Sequence, residues 1–157
     1  MENKNYTARI LNSSPLQLVI ITYELMLEDM DKALSAENKV TAKSRLLNVR
    51  AFLTNLIGSL DMSMEISGNM ASIYIYINKL ISEAMLKSSL DKKEEAVSIL
   101  AEAKDLITVL FNAWKAIESE DVRKSSQKGS QVFAGLTYKK GRLAEHIDEN
   151  SNRDYKA

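Results

Sequence analysis

The side chains that most often carry catalysis are absent or poorly placed in this sequence. None of the 157 residues is cysteine, which excludes a thiolate nucleophile, a disulfide framework and a cysteine-ligated metal. The single histidine, His146, lies near the end of the chain, away from every helix predicted below, so a serine nucleophile would lack its usual base. We therefore expect no catalytic residues, no cofactor and no enzyme activity.

Carboxylates are the remaining candidates for acid–base or metal chemistry. Glu24 and Glu28, and Glu94 and Glu95, occur at helical spacing on predicted polar faces, where solvated surface charge is the simpler interpretation. A di-iron or di-manganese bundle needs Glu-x-x-His pairs on two helices, and no predicted helix contains a histidine. We expect no metal site. An enzyme or metal protein built in a helical core remains a third hypothesis, which metal analysis of the purified protein would test.

The overall composition limits which binding partners and which cellular compartment are expected. The 21 basic residues balance the 21 acidic ones, so the chain has no excess positive field for nucleic acid. No stretch reaches the roughly 18 consecutive apolar residues of a membrane span, and the N-terminus has no secretory pattern. We predict a cytoplasmic protein with no nucleic-acid partner and no membrane insertion.

The residues between 15 and 117 follow the period of helices. Pro15 is the only proline, and Ser14 with Gln17 forms a capping-box pattern at the start of a first helix. Apolar residues at three- and four-residue steps predict further helices at about 40–60, 66–87 and from Asp91 to Ile117. Short polar connections separate them. The predicted fold class is all-α: an antiparallel four-helix bundle at 15–117, preceded by an N-terminal extension at 1–14.

The composition changes after Ile117. Residues 118–157 are polar and lack a sustained apolar period, so we predict a mostly irregular C-terminal tail. One apolar island at 132–138 interrupts it, and its large side chains, Phe133, Leu136 and Tyr138, are candidates for a tail anchor.

The predicted helices carry more apolar residues than one core-facing stripe requires. Leu18, Ile21 and Leu25 form a second row on the first helix, and Ile75 and Tyr76 lie outside the main face of the third. Either these helices are buried on several sides, or the rows form a groove for a partner's amphipathic helix. The sequence leaves both readings open.

Five segments occur in an order that resembles the flagellar export chaperone family FliS. They are Asn12–Leu18, Ser59–Asp61, Glu65–Met70, Ile73–Tyr76 and Ala113–Ile117, preceded by Tyr6. They are similar to the family's Thr-Ala-Ser-Pro-x-x-Leu, Ser/Gly-Leu-Asp, Glu-Ile-Ala-x-Asn-Leu, Leu-Tyr-Asp-Tyr and Ala-Trp. One departure is Ile75, which replaces the acidic residue of Leu-Tyr-Asp-Tyr and makes that face more apolar.

The resemblance implies a cytosolic chaperone that binds the disordered C-terminal segment of flagellin, prevents premature polymerisation and keeps flagellin competent for type III export. The implied partners are flagellin and the flagellar export apparatus. A client that orders on binding needs a long apolar track to offset its lost entropy. The candidate groove residues are Leu18, Ile21, Leu25, Ile73, Ile75, Tyr76, Ile77 and Leu80.

The N-terminal extension has a second candidate role. In the family it is thought to lie over the groove, and the matching apolar positions are Tyr6, Ile10 and Leu11. They would shield the groove without client; an ordinary extension packed on the bundle is the alternative. For the whole chain, the competing function is a self-associating structural or regulatory bundle that forms homo-oligomers through its apolar rows and has no flagellin client.

Overall fold

The computed structural model describes residues 5–123 together with Leu143 and Ile147. Its five elements are all helices: α1 (Tyr6–Leu11), α2 (Pro15–Leu34), α3 (Lys39–Ser59), α4 (Glu65–Ser89) and α5 (Lys93–Arg123). The starts of α2, α3 and α4 lie within one residue of the predicted positions. The alternating pattern from Ile73 to Ile77 is part of the continuous helix α4, as its flanking spacing predicts.

Side-chain caps define where two of the long helices begin. Ser14 and Gln17 form the predicted capping box at the start of α2, with each side chain bonded to the other's backbone N–H. Asn38 caps α3 through the backbone N–H of Thr41 at 2.8 Å. These caps satisfy N–H groups that the helices leave unpaired, so both helix starts are fixed by local sequence.

Each of the four long helices packs against two others. α2 contacts α3 and α5, and α4 contacts the same two helices on the other side. Inside this ring the hydroxyls of Tyr23 and Tyr74 are hydrogen-bonded at 2.8 Å, which joins α2 to α4 across the core. Burial raises the pKa of Tyr23 to about 12. The polar pair is therefore satisfied within an otherwise apolar interior.

Two expectations for the last helix are wrong. α5 begins at Lys93 rather than Asp91, and it continues to Arg123 instead of ending at Ile117. Asp91 has a positive φ of 60°, outside the helix, and its carboxylate pairs with Lys39 from the start of α3. That ion pair lowers the pKa of Asp91.

The tail is not irregular at every described position. Leu143 and Ile147 are helical and fully buried, and they belong to the same hydrophobic cluster as the core of the long helices. Their spacing is one helical turn. The sequence did not predict these two helical residues, because two apolar residues are too few to form a periodic signal in a polar segment. The island at 132–138, with Phe133, Leu136 and Tyr138, lies outside the described residues.

Candidate binding surface

An apolar seam runs between α4 and α5. Tyr76 donates a hydrogen bond to Glu102 at 2.9 Å, and Lys87 pairs with Glu95 at 3.0 Å, so these residues mark where the two helices meet. The bond to Glu102 raises the pKa of Tyr76. Along the adjoining flank of α5, four half-buried residues recur at steps of seven, four and seven: Ile99, Leu106, Leu110 and Ile117. We call the surface formed by Ile73, Tyr76, Leu106 and Leu110 the open seam.

The outward face of α4 extends this apolar surface. Ile75, Leu86 and the C-cap residue Leu90 are each 57–58% exposed. Their spacing of 11 and four residues places them on one side of the helix over about 22 Å. Lys79 lies within the same row. A partner helix with apolar residues at three- and four-residue steps fits such a surface, which no described residue covers completely.

The predicted groove residues divide into two groups. Ile75 and Tyr76 are exposed, and Ile73 is half-buried beside the core. The other five are buried in the hydrophobic cluster: Leu18, Ile21, Leu25, Ile77 and Leu80. The structure therefore leaves Ile73, Ile75 and Tyr76 at least partly accessible and places the remaining residues inside.

The N-terminal helix α1 is attached to α2 by polar contacts. Arg9 donates two hydrogen bonds to the carboxylate of Glu24, at 2.8 and 3.1 Å, which raises the pKa of the guanidinium. Tyr6 donates to Glu28 at 3.4 Å, and the Arg9 guanidinium lies 5.5 Å from the centre of the Tyr6 ring. Partial burial, with the charges of Glu28 and Glu24, raises the pKa of Tyr6. These contacts fix the direction of α1 along α2.

The three predicted shielding residues differ in burial. Ile10 is buried in the core cluster, Tyr6 is half-buried, and Leu11 is 76% exposed. A cavity of about 250 Å³ lies beneath α1, and its lining combines α1, α2 and α5 through Arg9, Ile21 and Glu118. α1 therefore covers the side of α2 that faces α5, with Ile10 as its one buried residue.

A second cavity, of about 330 Å³, lies where the α2–α3 and α4–α5 connections meet. Its apolar wall includes Ala33, Ala84 and Leu100, and Lys39 and Asp91 line its polar edge. Among the described residues, no group of three or more His, Asp or Glu side chains could hold a metal ion. In the same part of the chain, no helix is long and apolar enough to cross a membrane.

Two apolar features were not predicted from the sequence. One is the half-buried row on α5, because the spacing of its residues also fits the core-facing stripe of the predicted helix. The other is the buried pair Leu143 and Ile147, whose only sequence signal is a four-residue spacing. Neither could be separated from ordinary core or tail residues without knowing which helices are neighbours.

Comparison with known proteins assigns a family. No curated protein matches the chain, but the family model described as "Flagellar protein FliS" matches residues 1–121. The match includes α1 to α4 and all of α5 except its last two residues, and it ends before Leu143. FliS is a family of flagellar chaperones and not of enzymes, which agrees with a surface built for binding. The chain belongs to the FliS family.

Proposed function

We propose that this protein binds the C-terminal segment of flagellin in the cytoplasm, prevents its premature polymerisation and delivers it to the flagellar export apparatus. The four long helices form an antiparallel four-helix bundle in this proposal, because connections of three to five residues join consecutive helices that pack together. The bundle presents the apolar surface along which the client orders as helices.

The exposed apolar row on α4 is the observation that supports this function. Ile75 is 58% exposed, and Tyr76, which belongs to the open seam, is 45% exposed. Large aromatic and aliphatic side chains that are exposed together mark interaction surfaces. Family membership makes a flagellar client the appropriate partner for that surface.

Calorimetric titration with a flagellin C-terminal peptide tests the proposal. We expect saturable one-to-one binding with a negative heat-capacity change, because the interface buries apolar surface. A peptide from the flagellin N-terminus is the control. No binding of the C-terminal peptide at tens of micromolar, with the helical content intact, would contradict the proposal.

Self-association through the same surface is the second candidate. It is favoured by the observation that Ile75, Leu86 and Leu90 are exposed on one face of α4. Sedimentation without client distinguishes the two. Self-association would be favoured if the apparent mass of the unaltered chain rises with protein concentration and that of Ile75→Asp stays at the monomer value.

A further inference from the structure

α5 carries opposite charges on its two flanks. Its three lysines, Lys93, Lys104 and Lys115, recur at steps of 11 residues, which is about three turns and keeps them on one side of the helix. Lys104 pairs with Asp31 of α2 at 2.5 Å, and Lys115 lines the cavity beneath α1 together with Ile20 of α2. The basic flank of α5 therefore faces α2.

The opposite flank of α5 faces α4 and is acidic. Glu95 pairs with Lys87 of α4 at 3.0 Å, and Glu102 accepts the hydrogen bond from Tyr76 at 2.9 Å. Glu95 and Glu102 are seven residues apart, about two turns, so they lie on the same side of the helix. Carboxylates therefore border the open seam along its α5 edge.

A further carboxylate borders the open seam from α4. Glu83 is exposed and follows Tyr76 by seven residues, which places both on the side of α4 that meets α5. The pKa of Tyr76 is raised first by its hydrogen bond to Glu102 and also by the negative charges of Glu102 and Glu83. Both carboxylates are therefore close enough to the middle of the open seam to act on a charge that is placed there.

The two carboxylates lack basic partners in the described part of the chain. Within residues 5–123, no lysine or arginine forms an ion pair with Glu83 or Glu102. Lys87 already pairs with Glu95, and Lys79 lies in the outward row of α4. The open seam thus combines accessible apolar side chains with negative charge that no described basic residue offsets by an ion pair.

A helix bound over the open seam would remove part of the water around both carboxylates. Burying a carboxylate without a partner costs free energy, and a second carboxylate placed opposite it adds repulsion. A lysine or arginine at that position instead forms charge-assisted hydrogen bonds, and its long alkyl stem packs along the apolar residues. The surface therefore favours a helix with basic residues beside its apolar stripe.

We infer that the open seam selects its client by charge as well as by apolar surface, with Glu83 and Glu102 as the residues that determine specificity. The client helix has apolar residues at three- and four-residue steps and a lysine or arginine on the flank that faces α5. Resting on the proposed function, we assign this helix to the C-terminal segment of flagellin.

The first experiment uses two designed amphipathic peptides that share the same leucines at three- and four-residue steps. They differ only at the positions beside the leucines, which are lysine in one peptide and glutamate in the other. We expect the lysine peptide to bind the unaltered chain about tenfold more tightly at low salt, because two carboxylates contribute about threefold each. The preference should shrink in 1 M salt. Equal binding of both peptides, or binding of neither, would overturn the inference.

Reversing the charge of Glu102 separates specificity from structural damage. Glu102→Lys should bind the glutamate peptide about threefold more tightly than the unaltered chain does, a gain that a damaged surface would not produce. Glu102→Gln keeps an acceptor for Tyr76 and should reduce the preference for the lysine peptide to about threefold. Glu37→Lys, at an exposed position between α2 and α3, is the control and should leave both affinities unchanged. Equal effects of Glu102→Lys and Glu37→Lys would overturn the inference.

A second copy of this chain is the alternative occupant of the open seam. Sedimentation of the unaltered chain with and without the lysine peptide tests it. We expect the mass of one chain plus one peptide. A dimer that the lysine peptide does not dissociate would place the second copy on the seam and overturn the inference.

The flagellin C-terminal peptide is then titrated into the unaltered chain, Glu102→Lys and Glu37→Lys. We expect at least threefold weaker binding to Glu102→Lys alone. Equal binding to all three chains would overturn the assignment of the flagellin helix to the open seam and leave the proposed function standing. If the lysine peptide is selected but the flagellin peptide binds none of the chains, charge selection is established and the proposed function fails.

Discussion

Two surfaces between neighbouring helices differ in burial: the open seam, and a covered seam between α2 and α3 that is formed by Leu18, Thr22, Phe52 and Ser59. Leu18 and Phe52 in the covered seam are inaccessible, whereas Tyr76 in the open seam is 45% exposed and Leu106 is half-buried. Leu18 lies on the face of α2 that carries Asp29, and Phe52 lies on the face of α3 that carries Arg45, so both are buried where these two helices pack together. The difference teaches that an apolar row becomes part of the core where two helices face each other and stays accessible along the flank of a helix contact.

The largest expected effect comes from truncating a residue of the covered seam. Leu18→Ala should lower the free energy of unfolding by about 2–5 kcal/mol, because it leaves a cavity in a fully buried site. Leu86→Ala, at an exposed position of α4, should change it by less than about 0.5 kcal/mol. Urea denaturation measures both. Equal decreases in the free energy of unfolding for Leu18→Ala and Leu86→Ala would show that the two surfaces do not differ in packing.

The interior enclosed by the two seams should respond to alkaline pH. Burial raises the pKa of Tyr23 from 10.0 to about 12, so its neutral form is favoured by folding. The resulting stabilisation is fully present below pH 10 and is lost as pH rises toward 12, by up to about 2–3 kcal/mol.

Lysine side chains also lose their charge over this pH range. Comparing the unaltered chain with Tyr23→Phe separates the contribution of the Tyr23 hydroxyl from that effect. We expect urea denaturation between pH 9 and pH 12 to show a steeper decline for the unaltered chain than for Tyr23→Phe. Tyr76→Phe, in the open seam, is the matched control and should retain the steep decline. Parallel profiles for all three proteins would show that the Tyr23 hydroxyl ionises without cost.

Client binding should depend on the exposed face of α4 that adjoins the open seam. Ile75→Asp adds a charge to an exposed apolar residue and should weaken binding of the flagellin C-terminal peptide about tenfold, equivalent to about 1.4 kcal/mol. Val40→Asp, at an exposed position at the start of α3, is the control and should leave the affinity unchanged. Calorimetry measures both variants. A similar loss of affinity in Ile75→Asp and Val40→Asp would point to a general effect of the added charge.

The smallest effect is expected at the α1 contact. Arg9→Gln should lower the free energy of unfolding by about 0.2–1 kcal/mol at low salt, because the guanidinium and the Glu24 carboxylate are both accessible to solvent. The difference between Arg9→Gln and the unaltered chain should shrink in 1 M salt, where exposed charges are screened within about 3 Å. A difference that is independent of salt would mean that Arg9 contributes through packing instead.

Sequence reasoning predicted the helices because the signals for helices are local. The cap at Ser14, the apolar period of α2 and the flanks of the Ile73–Ile77 alternation each depend on nearby residues, and each predicted its element correctly. The end of α5 was missed because the residues after Ile117 continue the helix with Val122 as their one apolar side chain, which is too few to mark the period.

The candidate site was harder to predict, because burial of a row depends on distant parts of the chain. Leu18 and Ile75 have equivalent sequence signals, yet one is buried and the other exposed. What distinguishes them is which face of each helix meets a neighbouring helix, and a helical period contains no information about that. The assignment of Ile73, Ile75 and Tyr76 to a groove therefore stays a prediction for the client titrations.

The packing of α2 between α3 and α5 has a consequence during translation. α2 is the first long helix to leave the ribosome, but its flanking partner α5 begins more than 50 residues later. Because domains fold as their residues emerge, the apolar surface of α2 stays uncovered until most of the chain has been made. A ribosome stalled before Lys93 would hold an aggregation-prone nascent chain, and the ring of helices could close only once Arg123 had left the exit tunnel.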